Sequence, residues 1–278
     1  MHEAMPASIS AAPSSLDPTV MKISIAARLD YSFAVPTDVL LQIEAAALPE
    51  QRVEHAHIDV SSCQHFARVP ALDMIGERIW LRVNGQMLVD YAATIDVDRL
   101  VTDCWDLPKV QPHQLPGEAI QYLMASRYCP SDQFVQFVMD EFGGLDGGAQ
   151  IMAMRDWILA NFTYTLGYSS VETTALETFV HRRGVCRDYT HTLIAFARAA
   201  GIPARYASVY AVGVKPQDFH AVAEVFVGGQ WQLIDATGMA EEQTMVKIGI
   251  GRDAADVAFL TAFGPAYLNT QSVIVEPA

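Results

Sequence analysis

The amino-acid sequence predicts an α+β protein built in two parts. Three observations carry this. Strand-like alternation dominates up to about residue 105, a proline-broken stretch interrupts it at 106–117, and helical patterns then precede a second run of strands. The expected organisation is a disordered leader over 1–20, an N-terminal antiparallel β-sandwich-like domain over 21–105, a linker over 106–117, and a core over 118–278 in which helices pack on an antiparallel sheet.

Residues 1–20 are small, polar and proline-containing. They lack the basic start and continuous apolar run of a signal peptide, and Met21 is a candidate functional start. The segments I-S-I-A-A-R-L-D-Y-S-F and R-V-E-H-A-H-I-D-V alternate as half-buried strands do, and D-V-L-L-Q-I-E reads as a further strand. E-R-I-W-L-R-V and Q-M-L-V-D-Y-A-A-T-I-D-V flank Asn84-Gly85, which predicts a hairpin turn. Pro108, Pro112 and Pro116 then exclude helix and inner strand. Ser131 or Asp132 can cap a helix through F-V-Q-F-V-M-D-E-F, which Gly143-Gly144 ends. A second helix is predicted through A-Q-I-M-A-M-R-D-W-I-L-A-N-F, its methionines serving as packing, and a short third over 175–182. Strands follow from about Ala204, continue through M-V-K-I-G-I, and finish with S-V-I-V-E.

The fourth helix carries the chemistry. In R-G-V-C-R-D-Y-T-H-T-L-I-A-F-A-R-A-A-G-I-P-A-R, Thr190, Leu193, Ala197 and Ala200 recur at helical spacing and predict one apolar face. Gly201 and Pro203 stop the helix. Cys186 falls at its first turn, where unpaired N–H groups and the helix dipole favour a thiolate and can hold an oxyanion. A lone cysteine is more often inert packing, so the case rests on its partners. D-F-H-A-V-A-E-V-F-V, Gly228-Gly229 and Q-W-Q-L-I-D-A-T form a predicted hairpin. With Val227 opposite Gln230, Asp235 falls opposite Val222. His220 and Asp235 then become diagonal neighbours on one face, roughly 7–8 Å apart at Cα level. Cys, His and Asp so arranged are a thiol nucleophile, its base and an orienting acid.

Other candidates fit less well. His191 and Asp188 lie about 140° and 200° round the helix from Cys186, so His191 reads as a solvated or satisfied histidine and Asp188 as support for the first turn. Glu224 is roughly 13 Å along the strand from His220, and Asp218 is a weaker alternative orienter. The Cys186 N–H is the expected first oxyanion donor and the second is not placed; Tyr164 and Trp157 are weak cleft candidates and read as core aromatics. His55 and His57 share a strand face, and with His65 they read as exposed histidines rather than a metal site.

These segments together resemble the core of the bacterial transglutaminase-like superfamily, whose members include cysteine proteases. The resemblance extends over S-R-Y-C-P-S-D (126–132) and I-G-I-G-R-D-A-A-D-V-A-F (248–259), and covers nearly everything from Met21 onward. It implies a papain-like arrangement with Cys186 as nucleophile, His220 as base and Asp235 as orienting acid. Many members carry an aromatic residue two after the histidine. Here it is Val222, a departure expected to reshape the substrate cleft. Papain-type enzymes match less well, since C-G-S-C-W is absent.

The net charge of −14, from 18 basic and 32 acidic residues, argues against nucleic acid and anionic membranes as partners. No apolar run is long enough to span a bilayer. Cys63, Cys104, Cys129 and Cys186 show no paired spacing, which fits a reducing cytoplasm. No cofactor loop or metal cluster stands out. The resulting expectation is a cytoplasmic thiol-dependent hydrolase of an amide or peptide bond, acting on a peptide, protein or small amide. Acyl transfer to an amine, and a binding module with a vestigial triad, are the alternatives. Oligomeric state is not readable.

Overall fold

The computed structural model describes residues 20–278, so the leader reading for 1–20 falls, apart from Val20, outside the described residues. In chain order the first elements are β1 (Met21–Leu41), β2 (Gln51–Val60), β3 (His65–Pro70) and β4 (Glu77–Val97). The helical part holds α1 (Gly117–Ile120), α2 (Val135–Phe142), α3 (Gly147–Asn161), β5 (Thr163–Tyr164), α4 (Ala175–His181), β6 (Arg183–Gly184) and α5 (Cys186–Ala199). Then come β7 (Ala204–Ala211), β8 (His220–Val227), β9 (Gln230–Ile234), β10 (Met245–Gly251), β11 (Leu260–Ala262) and β12 (Tyr267–Pro277). The α+β class is as predicted. No helix among the described residues is long and apolar enough to cross a membrane.

The first sheet has β1 and β4 at its centre, β11 and β12 outside β1, and β2 and β3 outside β4, all antiparallel. Along β1, Ile23, Ile25, Ala27, Leu29, Tyr31 and Phe33 are buried, while Ser24, Ala26 and Arg28 between them are exposed. One face is therefore solvated and one covered. The covered face shares its core with Tyr210, Val246 and Ile248 of the second sheet.

Three expectations are corrected here. Asn84-Gly85 is not a hairpin turn: β4 runs straight through it for 21 residues. Both halves of β4 find a partner in β1, with Phe33 opposite Gly85 and Thr37 opposite Val83. The residues between, ending in Pro36, form a bulge in β1 where proline's missing N–H is harmless. Gly85, at φ +78°, supplies a bend, not a reversal. By the same pairing D-V-L-L is the end of β1, not a separate strand. The final strand also goes elsewhere: β12 pairs with β1, not with the second sheet. Its apolar face, Val273 and Val275, matches the covered face of β1.

The second sheet runs β10-β7-β8-β9. Helix α5 packs on β8 and β7 within a core that includes Leu193, Phe196, Ala223 and Val225. The predicted one-sided apolar face is too narrow. Every residue from Asp188 to Arg198 is buried, because α2, α3 and α4 cover the sides that the sheet does not. The linker lies over the β8–β9 tip, where the Gly228 N–H donates to the Pro108 carbonyl at 2.8 Å.

Candidate functional site

The site starts with the turn that launches α5. Asp188, fully buried, accepts from the Val185 N–H at 2.8 Å and from the Arg187 guanidinium at 3.0 Å. This closes the first turn as expected and fixes the Cys186 backbone. A Cβ at Gly184 would lie 2.6 Å from the Asp188 carboxylate, so glycine is required there. The hairpin has the register predicted from its glycines, from Val227 opposite Gln230 to Ala223 opposite Ile234. Gly228 and Gly229 both take positive φ, as a type I′ turn demands.

His220 and Asp235 meet at the open end of this hairpin, Nε2 to Oδ2 at 3.0 Å. Asp235 Oδ2 also accepts from the Met239 and Ala240 N–H groups, and Oδ1 from the Thr237 N–H and hydroxyl. Burial pushes the Asp235 carboxyl up, but the bonds from His220 and Thr237 outweigh it, and the net effect holds it below the ordinary value. The acid is thus a fixed anion that also pins the 235–240 turn. For His220, burial acts against the charged ring. The bond to Asp235 and the Cys186 side chain outweigh it and raise the imidazole to about 10. Its other nitrogen, Nδ1, has no hydrogen-bond partner among the described residues. It is the nitrogen left for the thiol.

A cavity of about 370 Å³ opens over Cys186 and His220. Its walls come from segments far apart in the chain: Tyr128, Val171, Tyr206, Phe219 and the stretch through Phe259. Phe219 and Phe259 stack at 4.6 Å. The Tyr128 N–H donates to Asp253 at 2.9 Å, which joins S-R-Y-C-P-S-D to R-D-A-A-D. The resemblance marked both segments, but no local pattern announced that they share a wall.

The remaining candidates are now placed. His191 is fully buried, stacked on Tyr128 at 5.0 Å, and its Nε2 accepts from the Ala254 N–H at 3.2 Å. Burial holds it well below the usual imidazole range, so it is a neutral core residue and not a solvated one. Glu224 is buried between Arg205 (2.6 Å) and Lys247 (2.9 Å). Asp218 lines the cavity but accepts from Phe219 N–H and Gln271, not from His220. Val222 lies in the core beside Val209 and Leu233 and does not line the cavity, so the expected effect on the cleft is corrected. Trp157 packs among Phe137, Phe179 and Phe196. Tyr164 packs at the edge of the same core, as expected, and its hydroxyl in addition contacts the backbone and the side chain of Cys186. His55, His57 and His65 are exposed, and no group of three or more possible metal ligands converges among the described residues. The four cysteines are free, and burial pushes Cys104 to about 11 and Cys129 to about 12.

Comparison with known proteins agrees with this architecture. The transglutaminase-like superfamily profile matches residues 137–236. A crystal structure of a candidate cysteine protease from Cytophaga hutchinsonii superposes with a TM-score of 0.88 at 32% identity, covering 93% of this chain and 91% of that one. An uncharacterised Mycobacterium tuberculosis protein is 31% identical over 174 residues, and one from Mycobacterium leprae 29% over 116 residues. These matches span 51% and 42% of the length of the two mycobacterial relatives. In sequence profile and in whole-chain architecture, the protein belongs to the transglutaminase-like superfamily.

Proposed function

We propose that this protein is a thiol-dependent amide or peptide hydrolase working through an acyl-enzyme on Cys186. The observation that carries the reading is the position of His220, which contacts Cys186 on one side and is bonded to Asp235 on the other. The ring takes the thiol proton, and the thiolate attacks the carbonyl carbon. The resulting imidazolium is stabilised by the Asp235 anion. As the tetrahedral intermediate collapses, the C–N bond breaks and the imidazolium passes its proton to the leaving amine. Water then attacks the thioester, giving its proton to the ring and releasing acid and free thiol. The Cys186 N–H, at the start of α5, faces the developing oxyanion.

The substrate is a peptide, protein or small amide entering the aromatic-walled cavity. The four unpaired cysteines support a reducing, cytoplasmic setting. The net charge disfavours nucleic acid and anionic lipid as partners.

The test is turnover of peptide and amide pools by wild type and Cys186→Ala, with and without an added primary amine, while acyl adducts are trapped for mass spectrometry. The expected result is an adduct on Cys186, free acid as product, unchanged turnover in a chelator and none in Cys186→Ala. Product formed only when an amine is present would move the assignment to acyl transfer. Absence of any adduct, together with a protein partner bound equally by Cys186→Ser, would replace it with a binding role.

A further inference from the structure

An acyl-transfer site needs two hydrogen-bond donors for its oxyanion, and the start of α5 provides one. The donors around Cys186 can be sorted by what they already hold. The Tyr128 hydroxyl donates to the Val171 carbonyl at 2.6 Å. The Arg187 guanidinium is shared between the Ser170 carbonyl at 2.5 Å and Asp188 at 3.0 Å. Trp157 is enclosed in the aromatic core. Tyr164 is different, since its hydroxyl meets Cys186 at the backbone and at the sulfur.

The placement is built into the fold. β5 and β6 form a two-stranded parallel ribbon with Tyr164 opposite Gly184, two residues ahead of the nucleophile. The Thr163 N–H donates to the Arg182 carbonyl at 2.8 Å, and the Thr165 N–H to the Gly184 carbonyl at 2.9 Å. These bonds bracket Tyr164 and lock it to the chain that enters α5. The ring leans on Tyr189, at 5.9 Å between centroids, on the first turn of the same helix. The ribbon therefore has a local purpose: it fixes a phenol beside the Cys186 backbone N–H.

We infer that the Tyr164 hydroxyl is the second oxyanion donor of the Cys186 site. Between turnovers it rests against the Cys186 amide and sulfur. When the carbonyl oxygen becomes an anion, the phenol O–H and the Cys186 N–H both point at it. Burial and the neighbouring Cys186 push the phenol well above its ordinary value, so it keeps its proton and serves as a donor throughout the working range. No proton is transferred: the bond to the oxyanion strengthens as charge develops and weakens as the C–N bond breaks.

This assignment rests on Cys186 being an acyl-forming nucleophile, and its test separates the two claims. Two thiol reagents differ only in whether an oxyanion forms. p-Nitrophenyl acetate acylates through a tetrahedral anion, whereas iodoacetamide alkylates by direct displacement without one. Tyr164→Phe keeps the ring on Tyr189 and removes only the hydroxyl. Its acylation rate by p-nitrophenyl acetate should fall roughly 100- to 1000-fold, as for loss of one oxyanion donor. Its iodoacetamide rate should stay within about threefold of wild type, and its melting temperature should hardly move. Equal acylation of the variant and wild type would overturn the role of Tyr164 alone. A parallel fall in both reactions would also overturn it, by showing that the hydroxyl positions the sulfur. Wild type that resists acylation altogether would overturn the nucleophile reading, and this assignment with it.

Discussion

At the scale of single residues, the His220–Asp235 pair is uneven: the ring is one hydrogen bond short, and its carboxylate is saturated. His220 has its Nε2 on Asp235 and its Nδ1 without a hydrogen bond, while its carboxylate partner is held by four further donors. An anion this well bonded stays charged, so the ring beside it is biased towards imidazolium. The sign is checkable. A folded value of about 10, above the ordinary 6.5, means that stabilisation from the charged ring is fully present below about pH 6.5 and is lost as pH rises towards 10. The melting-temperature advantage of wild type over His220→Gln should therefore shrink between those pH values. An advantage that grows with pH would contradict the charged ring. Much of this was legible in the sequence, because a Gly-Gly turn fixes a register and a register fixes which residues share a face. The particular neighbours of Tyr164 and His191 were not legible. Their surroundings are assembled from segments far apart in the chain, and nothing beside either residue in sequence names its neighbours.

At the scale of elements, α5 shows how much depends on a helix start. The thiol is aimed by the turn 184–188, and that turn depends on Asp188 reaching back to Val185 across a glycine with no Cβ to obstruct it. Gly184→Ala forces the carboxylate away from the N–H. The change should cost about 1–3 kcal/mol, the penalty for an unmade buried hydrogen bond to a charged group. Cys186-dependent activity should fall by a larger factor than thermal stability accounts for, measured as turnover alongside urea denaturation. A stable variant with full activity would show that the turn tolerates the methyl group. The start of α4 at 175 was as predicted, closed by a reciprocal cap of Thr174 and Glu177, whereas the expected cap from Ser131 or Asp132 does not form and a 3-10 turn precedes α2 there. Asn84-Gly85 misled because turn chemistry is local, whereas the decision to turn is not. A long β1 offered both halves of β4 a partner, and pairing won over reversal.

At the scale of the whole molecule, the two sheets are tied by polar groups as well as by a shared core. Lys247 on β10 bonds Glu224 on β8 and Glu50 ahead of β2, each at 2.9 Å. The Gln51 side chain bonds the backbone of Lys247 in both directions, at 2.8 and 2.6 Å. Burial works against the Glu224 carboxylate, but Lys247 and Arg205 outweigh it and hold it below its ordinary value. Its contribution is therefore fully present above about pH 4.5 and is lost as pH falls through the lowered value. Glu224→Gln, which takes the close buried partner from Arg205 and leaves Lys247 only Glu50, should cost about 3–5 kcal/mol at neutral pH by urea denaturation. Its deficit should narrow on acidification, and a neutral substitution would show that the cluster contributes nothing. The α+β class was readable from the order of patterns alone, yet the destination of β12 was not, since a strand's sequence describes its faces and not its neighbour. That destination sets a schedule for the nascent chain. β1 leaves the ribosome well before β12, which covers one of its edges and emerges only after the Cys186 helix and the hairpin have been made. Until then β1 presents an open edge of unpaired backbone, the kind of surface that chaperones shield and that other chains add to. The first sheet is begun before the second and completed after it, so synthesis halted before β12 leaves a chain that carries Cys186, His220 and Asp235 with an open sheet.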